Sequence, residues 1–235
     1  MTSKQVLDEL KKMGSPSIKK ILMTHGAKEP VYGVRIGDMK TIVKKIKKDY
    51  PLSMELYNSG VYDAMYMSAL IADESKMSKK DIQSWAEKAY CGGLSEYTVA
   101  WVAAESPFGW ELGMEWIDSP KETIASAGWN TLGGILSLKK DEELNIPAIK
   151  KLLSRIEKNI HKAPNRVKYT MNGFIIAVGG AVKELTKEAI ETAKKIGIVT
   201  VDMGGTACQV PGAIDYIRQM EAKGNIGKKK KTVKC

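Results

Sequence analysis

The chain has 235 residues, 43% of them hydrophobic and 27% charged, and its 37 basic against 27 acidic side chains give a formal charge of +10. This is a globular composition with enough length to bury a core, and no apolar run approaches the ~18–20 residues that cross a bilayer. Cys91, Cys208 and Cys235 are odd in number, far apart and free of any Cys-x-x-Cys pair, which points to a reducing compartment and away from zinc or redox work.

The opening MTSKQVLDELKKMG is an amphipathic helix start with no signal-peptide core. Val6, Leu7 and Leu10 form its stripe behind a Thr/Ser cap. Ser15-Pro16 begins a second helix over Pro16–His25, with proline at the first helical position. After Tyr32-Gly33-Val34, the spacing of Met39, Ile42, Val43 and Ile46 predicts a helix over Asp38–Asp49 with lysines outside. Pro51, Ser78 with Asp81 (a capping box), Pro107, Ser119-Pro120, Pro147, Pro164 and Pro211 each open another helix. The sum is about a dozen helices joined by short turns, with no interdomain linker.

Ile198–Asp202 (IVTVD) is β-branched and alternating, which predicts a short extended connection before a last helix over Gly212–Lys223. Asn225–Cys235 has four lysines after Gly227 and predicts little regular structure. The expected division is a helical domain over 1–224 and a basic tail over 225–235.

Three stretches are variants of one helix: Val61–Glu74, Ile124–Lys139 and Arg166–Gly180. Aligning the second with the third pairs Trp129 with Met171, Asn130 with Asn172 and Leu132 with Phe174. Aligning the first with the second pairs Ala64 with Ala127 and Tyr66 with Trp129. Such self-similarity predicts an all-α superhelix of HEAT-like repeats, a single curved domain whose concave face binds something long.

The charge is unevenly placed. Lys223, Lys228, Lys229, Lys230, Lys231 and Lys234 lie near the end, and only Arg35, Arg155, Arg166 and Arg218 are arginines. A lysine-rich balance suits long-range attraction to phosphates more than reading of base edges. The competing reading of each lysine is a solvated outer helix face.

Tyr32-Gly33-Val34-Arg35-Ile36 leading into the lysine-rich helix, Leu56-Tyr57 with Asp63-Ala64-Met65, and Trp116–Trp129 with Ser119 are similar to DNA alkylation repair proteins of the AlkD-like family. Asp202–Cys208 and Gly227–Cys235 resemble one divergent branch of it. The resemblance covers nearly the whole chain. It implies HEAT-like repeats around duplex DNA and excision of N3- or N7-alkylated purines. An alkylated purine already leaves readily, so a placed carboxylate that stabilises the oxocarbenium-like sugar suffices, and aromatics contact the cationic lesion. The family's Trp–Asp pair falls at Tyr97 and Trp101, its backbone-holding Arg near Ala125 or Ser126, and its second Trp near Phe174. The catalytic Asp is thus replaced and the Arg absent.

Tyr97, Trp101 and Glu105 stand at i, i+4 and i+8 on one helix face. They are either a concave catalytic set in which Glu105 replaces the lost carboxylate, or a core aromatic stripe with Glu105 exposed at a helix end. Trp129, Asn130, Asn172 and Phe174 are candidates for DNA contact, or else core residues, with the two Asn making interhelix hydrogen bonds. His161, Asn165, Arg166 and Lys168 surround a helix start and make a candidate phosphate site. Arg35 with Lys40, Lys44 and Lys45 is another. His25 and His161 alone make no metal site. Cys208 lacks a neighbouring base, and Gly204-Gly205-Thr206 is not a phosphate loop. The expected protein is therefore a cytoplasmic monomer without metal, cofactor or membrane, whose partner is duplex DNA. Its function is alkylated-base excision, DNA binding without chemistry, or a protein-binding scaffold.

Overall fold

The computed structural model describes every residue from Met1 to Cys235, and it is all-helical with no strands. Thirteen α-helices follow in chain order: α1 (Ser3–Met13), α2 (Pro16–Thr24), α3 (Ile36–Ile46), α4 (Tyr50–Asn58), α5 (Tyr62–Ile71), α6 (Lys79–Lys88), α7 (Ala100–Glu105), α8 (Gly109–Trp116), α9 (Glu122–Leu138), α10 (Ile146–Asn159), α11 (Asn165–Ala181), α12 (Thr186–Ile196) and α13 (Ala213–Ala222). The expected HEAT-like array is the fold observed. Most starts are close to where the caps place them, though α3 opens at Ile36, two residues before the expected Asp38, and no side chain caps it. Pro16, Pro51 and Pro147 sit in first turns, and Ser78 and Asp81 bond each other's backbone N–H groups reciprocally at the head of α6.

The three related stretches are α5, α9 and α11, and they form the inner layer. Val61–Ala69 is buried without interruption, as expected of a helix covered on all sides. The layer has a fourth member that the repeat comparison passes over. Gly93–Val99 forms a π-helical turn running straight into α7, and this unit packs between α5 and α9. Pairing Tyr66 with Trp129 therefore jumps one repeat. Outer helices cover this layer, α4 against α5, α8 against α9 and α12 against α11. Helix α9 joins two cores, with Ala127 facing the first and Trp129 the second.

A buried carboxylate sets the elbow before α3. Asp63, fully buried in α5, accepts from the backbone N–H groups of Tyr32 (2.6 Å), Gly33 (3.2 Å) and Val34 (2.8 Å). Gly33 has φ +82, and a side chain there would strike Ser15 and Lys19 of α2.

The last forty or so residues turn back against α11 and then run along the ends of the inner helices. Ile198–Asp202 forms no strand and belongs to an irregular loop. Asn165 and Asp202 exchange hydrogen bonds at 2.7 and 2.8 Å, and Asn172 donates to the Pro211 carbonyl at 2.8 Å. Helix α13 then seats Ile217 on Gly179 and Met220 on Gly180 of α11, where a methyl group would collide. The segment from Gly227 to Cys235 has no helix but is docked. It crosses the C-terminal ends of the inner helices, with Val233 packed near Gly134 and Lys234 against Glu74.

Candidate nucleic-acid interface

The concave face opens into a cavity of about 490 Å³ between α2, α5, the π turn, α11 and the returning loop. Tyr62, Tyr66, Tyr97 and Tyr169 give it aromatic walls, with Arg166 and Met203 beside them. Gly92 and Gly93 form part of its floor. A methyl group on Gly93 would collide with the Tyr62 hydroxyl, and one on Gly92 would come within 3.0 Å of Glu96 Oε1. A narrower groove of about 200 Å³ continues past Trp101, Asn130, Gly133 and Gly173 to Lys230 and Val233. A larger depression of about 580 Å³ lies between α6 and α8. It is open and shallow, and of its two lysines Lys79 is tied to Glu111 and Glu115 at 2.9 and 2.7 Å, which leaves only Lys80 unpaired, so it offers less to a ligand.

Beneath the cavity lies a buried ion pair. Arg166 Nε and Nη2 donate to the two oxygens of Glu96 at 2.7 and 2.5 Å. The Glu96 side chain is fully buried and that of Arg166 is 28% exposed. The guanidinium also lies 4.4 Å from the Tyr169 ring centre. Burial alone would lower the Arg166 pKa, but the hydrogen bond and charge of Glu96 outweigh it and the net direction is upward. The π turn places Glu96 under the floor while Tyr97 stays 40% exposed above it, the kind of one-residue re-aiming that π bulges provide. Desolvation pushes the Tyr97 phenol up to about 12.

Tyr97 and Trp101 share a face as their spacing predicts, their rings meeting edge to face at 5.6 Å. Trp101 is mostly buried against Tyr66, while Tyr97 lines the cavity. Glu105 sits at the far end of α7 and accepts from the Val233 N–H at 2.9 Å and from the Thr232 hydroxyl.

Trp129 and Phe174, expected as candidates for DNA contact, are core residues. They are 0% and 1% exposed and pack edge to face at 5.4 Å between α9 and α11, and only Phe174 borders the narrow groove at all. Asn130 and Asn172 are also engaged. Asn130 donates to the Glu96 carbonyl at 2.8 Å, an interhelix bond, and Asn172 pins the loop at Pro211.

The phosphate site around Arg166 is filled by protein. Glu122 accepts from the Arg166 backbone N–H at 2.6 Å, and Glu96 takes the guanidinium. Asn165 is bonded to Asp202, His161 to the Ile196 carbonyl at 2.8 Å, and Lys168 is half-buried with no ion pair. Arg35 is exposed beside the cavity-lining Ile36, and Lys44 is exposed farther along α3. Sequence reasoning missed Glu96, Tyr62, Tyr66, Tyr169 and Met203. For Glu96 the signal was available, a lone acid between Gly92-Gly93 and the apolar run of α7.

The sequence profile of the family described as DNA alkylation repair enzyme matches residues 6–198. The chain is 31% identical to the uncharacterized protein Lin0241 of Listeria innocua, over 96% of this chain and all of that one. It is 31% identical to the uncharacterized protein Lmo0209 of Listeria monocytogenes, over 93% of this chain and 97% of that one. Among solved structures it resembles, with a TM-score of 0.92 and 38% identity over the full length of both, one described as a new family of proteins related to the HEAT-like repeat DNA glycosylases with affinity for branched DNA structures.

Proposed function

The chain belongs to the DNA alkylation repair enzyme family, and from that premise we propose that it binds branched DNA on its concave face in preference to linear duplex, without excising bases. The tyrosine-walled cavity carries this reading. A branch point leaves bases unstacked that a continuous duplex keeps inside, and an aromatic face accepts such a base whatever its identity. Tyr97 offers the most open ring, and the net charge of +10 supplies the sequence-independent attraction. Excision needs a carboxylate free to face the sugar. Glu96 is forked to Arg166, Glu105 is held by Thr232 and Val233, and Asp202 accepts the Gly204 N–H in its own turn. In this reading the protein acts as a monomer in the cytoplasm.

The test compares a labelled four-way junction with a linear duplex of equal length. The junction should bind more tightly, and Tyr97→Ala should weaken junction binding roughly tenfold while leaving duplex binding unchanged. Equal affinities for the two DNAs would overturn the preference. Release of 7-methylguanine or 3-methyladenine from methylated DNA above a protein-free control, lost in Glu105→Gln, would establish excision instead.

A further inference from the structure

The segment Gly227–Cys235 does more than cover an edge. It meets all four inner helices at their C-terminal ends, in the order α11, α9, α7, α5. The Gly227 N–H donates to the Gly180 carbonyl at 2.8 Å, and the Lys230 N–H to that of Ser137 at 2.7 Å. Lys229 Nζ donates to the carbonyls of Leu136 (2.9 Å) and Ala181 (2.7 Å) and pairs with Asp141 at 2.7 Å. The Val233 N–H bonds Glu105, and Lys234 pairs with Glu74. Helix C-termini carry unpaired carbonyls and the negative end of the helix dipole. Glu74, Glu105 and Asp141 add three carboxylates to the same edge. Bare, that edge would repel a phosphate chain. Lys229 and Lys234 offset two of these three charges from within, and Lys48 pairs with Glu74 at 2.8 Å.

The other three lysines face outward. Lys228, Lys230 and Lys231 are exposed and none pairs with a carboxylate; Lys228 touches only the Asn225 amide oxygen, at 2.8 Å. Lys230 also lines the groove that continues from the tyrosine cavity. We propose that Lys228, Lys230 and Lys231 form a phosphate track along this edge, carried by a strap whose inward lysines offset the negative helix ends beneath it. The track holds the DNA arm leaving the cavity, and it rests on the DNA-binding reading above.

The variant K228Q/K230Q/K231Q leaves every anchoring contact in place, so its melting temperature should match the parent. Binding to the labelled junction is measured across a salt series. Each lost lysine–phosphate contact lowers the log–log salt slope by about 0.9, so the slope should fall by about 2 to 3 and affinity at 0.1 M salt by on the order of 100-fold. A matched variant, K151Q/K158Q/K187Q, removes the same charge from exposed positions on the outer helices α10 and α12 and should change the slope by less than one. An unchanged slope in the strap variant, or an equal drop in both, overturns the track while parental binding still supports the concave-face reading. A parent that binds no DNA overturns both.

Discussion

Asp63 and Glu96 are buried to the same degree, at 0% and 1% exposure, yet they are held by different kinds of partner. Asp63 is held by three backbone N–H groups of one turn, Tyr32 to Val34. Nothing else can take their place, and the result is a fixed elbow between α2 and α3. Glu96 is held by one side chain, and Arg166 also forms part of a cavity wall. The first arrangement can only be architecture. The second couples the fold to whatever enters the cavity. Burial of a charge thus marks an expensive site, and the exposure of its partner tells which expensive site faces a ligand.

The comparison is broken most directly at Asp63. Asp63→Ala removes the acceptor of three N–H groups in a buried turn and should cost roughly 3–5 kcal/mol of stability, read from the midpoint of urea unfolding. Asp63→Asn keeps one acceptor oxygen and should cost about half of that. Junction affinity per folded molecule should not change in either. A loss under about 1 kcal/mol would mean the turn finds other acceptors and the elbow is not fixed from α5.

At Glu96 the same operation should be milder and have a second readout. Arg166→Gln leaves a buried carboxylate without its cation and should cost roughly 2–3 kcal/mol, less than the usual figure because Arg166 is partly solvated. The double variant Glu96→Gln/Arg166→Met removes both charges and should recover most of that loss. Junction binding should stay about fivefold weak in the double variant, because the guanidinium no longer backs Tyr169 at the cavity wall. Full recovery of binding together with stability would place Glu96 in the same class as Asp63.

The parts of the fold that follow local rules were readable in advance. Ser78 with Asp81 announces α6, and the apolar variants at α5, α9 and α11 announce the inner layer. Which side of that layer is concave was not readable, because these helices are apolar all round and periodicity has no direction to report. The concave side proves to be marked by what is small, Gly92, Gly93, Gly133 and Gly173, while Trp129 and Phe174 turn into the core. The π turn was also out of reach, since one extra residue in a helix leaves the spacing of Tyr97 and Trp101 intact while moving Glu96 beneath the floor. Docking of the strap escaped for a different reason. Composition rules ask how much apolar surface a segment can bury, whereas Lys229 and Lys234 attach through carbonyls and carboxylates at helix ends.

The smallest effect expected concerns the cavity itself and separates its two roles. Burial raises the phenols of Tyr62 and Tyr66 above the range of a free tyrosine and pushes Tyr97 from 10.0 up to about 12. The fold therefore favours the neutral phenols over the unfolded chain. Their contribution is complete below about pH 10 and is lost as pH rises through the folded-state values, since the unfolded chain then releases its protons first. Titration of tyrosinate absorbance in the parent and in Tyr97→Phe should differ by one group with a midpoint near 12. A difference centred near 10.0, the ordinary value, would mean that water reaches the Tyr97 hydroxyl freely. In that case the cavity would be too wet to hold an unstacked base by burial. Only the ring face would remain to carry recognition.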